Sequence, residues 1–378
     1  MKSRVVVFEC EYDKELIKEK IRESLKYFNL PILEGKKILL KPNLLMAVNP
    51  ERAITTHPIL VEAIVEILME NGVKDIYIGD TPGNTFVNYD ELYERTGMKE
   101  IARRIKVNLV NLYKEGIINI PGNNIVDYYP VSKFIKQVDY IINIPKLKTH
   151  SFMLMTCAIK NTFGLIPGMN KSRMHSIAIN PRDFAMLLVD LHKKIKPILN
   201  IVDAILGMEG EGPSAGIPRK FRKIIISTDP VAVDVISSLI LGYKPEEIYT
   251  NIIGKEYGLG ENDLRNIEII SDNKNIYNSD VKKIKNLNTI ASRIPGFIGR
   301  LGSTLYTKFI KIYPVIIDEK CIKCRICENS CPNKAIFLKG NKIVINYDKC
   351  ISCFCCHELC PQKAIKLEKS LMARRIFR

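Results

Sequence analysis

Eleven cysteines occur in the chain, and eight of them stand in two runs with one spacing. Cys321, Cys324, Cys327 and Cys331, then Cys350, Cys353, Cys356 and Cys360, each follow C-x2-C-x2-C-x3-C, and proline follows each last cysteine. This is the spacing of paired 4Fe-4S sites in which the fourth cysteine of each run serves the other cluster. One cube is therefore expected on Cys321, Cys324, Cys327 and Cys360, and a second on Cys350, Cys353, Cys356 and Cys331. Nine of the 16 positions in Cys321–Ile336 recur in Cys350–Ile365, which points to a duplication. Zinc sites pair two C-x2-C units across a longer gap. Disulfides need an oxidising compartment, and the charged residues Lys2, Arg4, Glu9 and Glu11 leave no apolar leader near Met1. The expectation is a cytoplasmic chain that carries electrons. Cys355 falls opposite Ile326 in the repeat and is expected to be a buried thiol.

A second group of reactive residues lies well upstream. Asn143-Ile-Pro145-Lys146-Leu-Lys148-Thr149-His150 is followed by Lys160, Asn161, Gly164, Lys171, Arg173 and His175. Cations interleaved with hydroxyls, amides and glycines suit a carboxylate or phosphate ligand. Facing them in the sequence is the acidic, glycine-rich stretch from Asp203 through Glu209 and Glu211 to Pro213. Its carboxylates suit either a divalent cation or ion pairing with the basic segment. Asp229 before Pro230 reads as a helix cap at least as well as a catalytic acid.

The elements that position these residues follow from period. Short apolar runs at Arg4–Glu9, Lys37–Leu40, Asp75–Gly79, Asn108–Leu112, Tyr140–Ile144, Asn200–Asp203 and Arg222–Ser227 predict strands. Lys14–Phe28, a stretch opened by Pro58 and ending near Glu70, Pro181–Ile195 and Pro230–Leu241 predict helices. The alternation implies an α/β fold, a mostly parallel sheet with helices on both faces, followed by a small α+β cysteine domain. Ligands of such sheets sit beyond the carboxyl ends of the strands. Lys41, Asn43, Asp80, Lys146, Lys148, Asp203 and Asp229 are thus expected to share one cleft. The domains are expected at 1–271 and 313–368, with a linker at 272–312, whose segment 298–312 is amphipathic, and a basic tail at 369–378.

Five blocks carry a resemblance: Lys41-Pro42-Asn43; Lys146 to His150; Lys160-Asn161 to Gly164 with Pro167-Gly168; Gly207 to Pro213; and Ser227 to Asp234. In this order, over about residues 1–270, they resemble the domain-of-unknown-function family 362, often fused to ferredoxin-type clusters. The resemblance implies that the blocks line a common pocket and leaves the reaction open. Residues from about Ile316 to Leu367 resemble two-cluster ferredoxins, departing by the additional Cys355.

Two mechanisms fit the residues. In a ferredoxin-type oxidoreductase, Lys41, Asn43, Lys146, Lys148, Lys160, Asn161 and Lys171, with Glu209 and Glu211, would hold an anionic substrate or cofactor, and His150 or Asp80 would supply the proton. In a non-catalytic carrier or assembly component, the large domain would dock a partner. A redox partner protein is expected in both. No G-x-G-x-x-G follows the first strand, so a dinucleotide site of that type is not supported, although a flavin or divalent cation stays open. The formal charge of +16 admits RNA binding or modification as a third alternative. Eight thiolates and two oxidised cubes would lower that charge to about +12. No run of 18 uncharged apolar residues is present to span a membrane.

Overall fold

The computed structural model describes residues 2–84, 86–123, 125–273, 276–277, 280–284 and 312–370. Most of the expected linker, its amphipathic segment up to 311, and the tail from 371 lie outside the described residues.

The chain begins with β1 (Ser3–Glu9), α1 (Lys14–Leu25), β2 (Lys37–Pro42), α2 (Pro58–Glu70), β3 (Asp75–Ile78), α3 (Tyr89–Arg95), α4 (Met98–Ile105) and β4 (Asn108–Leu109). A hairpin of β5 (Ile117–Pro121) and β6 (Tyr128–Ser132) precedes β7 (Tyr140–Ile144), β8 (Lys146–His150) and β9 (Leu154–Thr156). Then come α5 (Ala158–Asn161), α6 (Asn170–Ile177), α7 (Pro181–Ile195), β10 (Leu199–Glu209), β11 (Ile217–Ser227), α8 (Pro230–Ile240), α9 (Tyr249–Glu256) and β12 (Ile267–Ser271).

These strands form one mixed sheet in the order β12-β1-β11-β10-β7-β2-β3-β4, with β8 on β10 and β9 on β8. Pairing is parallel except at β1–β11, β10–β11 and β8–β9. Successive side chains of a strand point to opposite faces, so a strand covered on both sides must be apolar throughout. β1 shows the result: Val5 and Val7 enter one core, while Val6 and Phe8 enter the other. Helices α1, α2 and α4 cover the second face, and α7, α8 and α9 cover the first. Proline at the first turn starts α2, α7 and α8, where its missing N–H is no loss. Asp229 caps α8 through Val231 N and Ala232 N, each at 2.9 Å.

Two strands differ from expectation. Pro145 interrupts the ladder after β7, but the chain returns to the sheet as β8, parallel to β10. The stretch after Asp203 is not a loop: β10 continues to Glu209, with a register shift between Ala204 and Leu206. Gly207 lies inside that strand because a Cβ there would stand 2.7 Å from the Leu147 carbonyl and 2.7 Å from the Phe221 ring.

The C-terminal part consists of β13 (Ile312–Ile316) with β16 (Ile365–Lys369), β14 (Ile336–Lys339) with β15 (Lys342–Ile345), and two short helices, α10 (Ile326–Asn329) and α11 (Cys355–Leu359).

Candidate functional site

The two cysteine runs fold alike. Non-glycine residues adopt left-handed backbone at Lys323, Arg325 and Lys334, and again at Ser352, Phe354 and Lys363. Each member of the second set lies 29 residues after its counterpart, the same offset as between the runs. Such conformations are costly for residues with a Cβ and persist where the surroundings fix them. Here they wind the loop so that the sulfurs converge. Cys321, Cys324, Cys327 and Cys360 line one cavity. Cys331, Cys350, Cys353 and Cys356 line the other, together with Cys355. Backbone amides donate to the remote sulfurs, Ala335 N to Cys331 Sγ and Ala364 N to Cys360 Sγ, both at 3.2 Å. Four thiols of the repeated spacing in each of two cavities, with N–H donors to sulfur, form a donor set that fits 4Fe-4S cubes.

The second run is pressed against the large domain. Phe354 belongs to the main core and meets Phe152 edge-on at 6.3 Å. Ser214 Oγ donates to the Glu358 carbonyl at 2.6 Å, and Lys363 Nζ donates to the Gly216 carbonyl at 3.2 Å. Gly83 has no room for a Cβ because Leu359 occupies the space.

This junction encloses a cavity of about 80 Å³, room for several waters or one small ligand when a water takes about 10–15 Å³. Asn43, Asp80, Lys160, Asn161, Lys171 and His175 line it from the large domain, and Cys355, Glu358 and Leu359 from the small one. Among the described residues, Cys355 is the one that lines both this cavity and the cysteine cavity behind it.

The cavity wall is cationic and only partly compensated. Lys41, fully buried behind it, pairs with Asp80 at 2.7 Å. Asp80 also accepts from Leu44 N at 2.7 Å. Lys148 donates to neutral groups alone, Asn43 Oδ1 and the Ile54 carbonyl, each at 2.8 Å. Burial lowers its amine well below the usual lysine range, and Lys160 and Lys146 lower it further. Lys171 donates to the Thr81 and Pro82 carbonyls. Burial brings its amine down to about 7. Lys160 has no hydrogen-bond or ion-pair partner among the described residues, and burial lowers it too. His175 stacks on Phe184 at 4.3 Å, its Nδ1 is buried without a partner, and burial lowers the ring to about 3. The ring is therefore neutral near pH 7.

Of the residues expected from sequence, Asn43, Asp80, Lys160, Asn161 and Lys171 line the cavity, and Lys41 and Lys148 bond to its walls. His150 does not line it. Its Nδ1 accepts from Phe152 N and Met153 N, and its Nε2 lies 3.1 Å from Glu358 Oε1, off the line of a good hydrogen bond. Burial drives His150 down to about 4. Burial alone would raise Glu358, but His150 and Lys160 hold its carboxyl at about 2.

Lys146 is also elsewhere. Its amine is held by Asp203 Oδ2 and the Tyr12 hydroxyl, both at 2.8 Å, and Tyr12 stacks on His57 at 3.8 Å. Glu209 is taken by Arg219 and by Lys282 N, and Glu211 is exposed. Among the described residues no three His, Cys, Asp or Glu side chains are placed to hold a single metal ion. Sequence reasoning missed Thr81, Gly83, Glu358 and the role of His175. Lys171 and His175 are four apart on α6, which places them on one face and was the available signal. Glu358 gave none, since its contact arises from docking.

An α/β sheet with a docked unit of two cysteine-lined cavities defines a ferredoxin-like iron-sulfur module attached to a larger α/β domain. The profile of the domain of unknown function DUF362 matches residues 38–238, and that of the 4Fe-4S dicluster domain matches residues 313–361. The chain belongs to the DUF362 family. It is 33% identical over 226 residues, 60% of this chain and 69% of the relative, to a thylakoid-associated protein of Synechocystis sp.. Among solved structures, the lactate racemase apoprotein of Thermoanaerobacterium thermosaccharolyticum is similar at 12% identity and a TM-score of 0.42, over 63% of this chain and 57% of that one. A Thermotoga maritima protein is similar at 14% identity and a TM-score of 0.36, over 56% and 55%. The chain thus spans little more than half the length of either. Among the described residues no helix is long and apolar enough to cross a membrane.

Proposed function

We propose that this chain holds two 4Fe-4S clusters and exchanges single electrons with a small anionic ligand bound between its two domains. Cys321, Cys324, Cys327 and Cys360 would hold one cluster, and Cys350, Cys353, Cys356 and Cys331 the other. When bound, such clusters supply or accept one electron at a time. The remaining work falls to side chains. Lys160 and Lys171 neutralise the ligand, and the arriving anion raises both amines back toward the usual lysine range, because a nearby opposite charge offsets the cost of burial. Asn43 and Asn161 fix the floor of the cavity through their mutual hydrogen bond at 3.1 Å. His175, neutral and with an Nδ1 that has no partner among the described residues, would hydrogen-bond the ligand. Asp80 serves as the counter-ion of Lys41, and His150 orients Glu358. Thiolate-held clusters suit a reducing compartment, which favours the cytoplasm.

The observation carrying this reading is the shared wall. Cys355 borders both the cationic cavity and the second cysteine cavity, so a ligand there lies one side chain from the proposed cluster. The test is anaerobic purification followed by mass spectrometry of any retained small molecule. Wild-type protein is expected to retain an anion, and Lys160→Met with Lys171→Met to lose it at unchanged iron content. Full iron with no retained ligand in wild type would instead mark a plain electron carrier.

A further inference from the structure

The two cysteine runs are equivalent in sequence and opposite in exposure. In the second, Cys353, Phe354, Cys355 and Cys356 are 9%, 5%, 7% and 8% exposed, sealed by the large domain. In the first, residues 322–325 are all exposed, and Ile322 reaches 61%. The substitutions within the repeat match this contrast. Lys323 and Arg325 stand where the second run has Ser352 and Phe354. One run is built to be covered and the other to be met from solution.

The surroundings of the exposed run are predominantly cationic. Lys320 precedes it, Lys323 and Arg325 lie within it, and the β14–β15 hairpin adds Lys339 and Lys342. Lys323 Nζ donates to Asn341 Oδ1 at 2.9 Å, which fixes the hairpin beside the run. Acidic neighbours consume part of the charge: Glu328 pairs with Arg325 at 2.7 Å, Asp318 pairs with Lys342 at 2.6 Å, and Glu319 is exposed. Lys320 and Lys339 are exposed and have no ion-pair partner among the described residues.

We infer that the face formed by Ile322, Lys320, Lys323 and the β14–β15 hairpin docks an acidic one-electron carrier protein. This rests on the cluster assignment above and adds its partner. An apolar side chain ringed by cations matches the usual division of an interface, with the anchor excluding water and the charges steering the encounter. A cluster held by Cys321, Cys324, Cys327 and Cys360 would accept one electron from the reduced carrier, and no bond would form or break. The first run is thereby the port, and the second run delivers to the cavity.

The experiment is stopped-flow reduction of the anaerobically purified, cluster-loaded chain by a reduced acidic plant-type ferredoxin, with dithionite as a second reductant. Lys320→Glu with Lys339→Glu reverses two exposed charges that touch neither cavity. The second-order rate constant with the ferredoxin is expected to fall at least tenfold in the variant at low ionic strength. In wild type it should fall as salt is added, since screening weakens steering. Iron content and dithionite reduction should match wild type. Full iron with rates indifferent to salt and to the substitutions overturns the docking face alone. Absence of iron in wild type overturns the cluster assignment and this inference with it.

Discussion

Replacing Asp80 by Asn removes one charge from the least exposed ion pair beside the cavity. Lys41 and Asp80 have side chains 0% and 3% exposed and lie 2.7 Å apart. The other partners of Lys41 Nζ among the described residues are neutral, the Pro42 carbonyl at 3.0 Å and Asn161 Oδ1 at 3.3 Å. Breaking a buried pair by removing one partner costs about 3–5 kcal/mol, because the other charge is left without compensation. Lys41 can escape part of this cost by losing its proton, since burial already lowers its amine and Asp80 is what opposes that shift. The sign follows from linkage. With its folded-state pKa depressed below the unfolded value, Lys41 binds fewer protons when folded, so the stability of the variant rises with pH. Each pH unit returns up to about 1.4 kcal/mol while the unfolded lysine stays protonated. Thermal unfolding followed by far-ultraviolet circular dichroism should show the variant melting about 10 °C below wild type near pH 7, taking about 2–4 °C per kcal/mol. The gap should narrow by pH 9. A gap under 2 °C, or one that does not change with pH, would refute the view that Asp80 compensates a buried cation.

Other consequences are as direct. Lys171 is lowered to about 7 by burial, so anion retention should weaken about tenfold per pH unit above that value; equilibrium dialysis of the copurified anion should show it, with the slope absent in Lys171→Met. His192 is buried and lowered to about 4, so its folded form resists the proton that the unfolded form takes up near 6.5. Stability should therefore decline by about 3 kcal/mol as pH drops from 6.5 to 4, and acid titration of His192→Gln should show a correspondingly shallower loss. At Gly164 a methyl group would collide with Asp80 Oδ1 and Lys41 Nζ. Gly164→Ala should lower the melting temperature and release the cavity ligand, whereas Gly35→Ala, where a Cβ meets nothing within 4 Å but the backbone is left-handed at φ 68°, should cost stability and yet retain the ligand.

Much of the fold is visible in local chemistry. Pro58, Pro181 and Pro230 mark the starts of α2, α7 and α8, and Val5 to Phe8 reads as a strand covered on both faces. The extent of β10 was not visible, because Gly207 and the acidic residues around it look like a loop until Leu147 and Phe221 are seen to require a glycine there. β8 was hidden by Pro145, since nothing local indicates that the chain rejoins the sheet. In the site, Asn43 and Asp80 were recognisable as polar residues just past strands, and Lys160 and Asn161 as members of a cation-rich segment bearing amides and hydroxyls. Lys146 misled, because its charge is spent on Asp203 and Tyr12. His150 is held back from the cavity by Phe152 N and Met153 N, and Glu358, which faces its Nε2 and lines the cavity, arrives from a run more than 200 residues later. Long-range docking leaves no periodic trace in a sequence.

The central claim is that two inorganic cubes sit in the sulfur-lined cavities. Iron and acid-labile sulfide, counted per chain in anaerobically purified protein alongside electron paramagnetic resonance after dithionite, test it most directly. The account predicts about eight of each and signals from reduced 4Fe-4S centres; a colourless, zinc-loaded protein silent after reduction would contradict it.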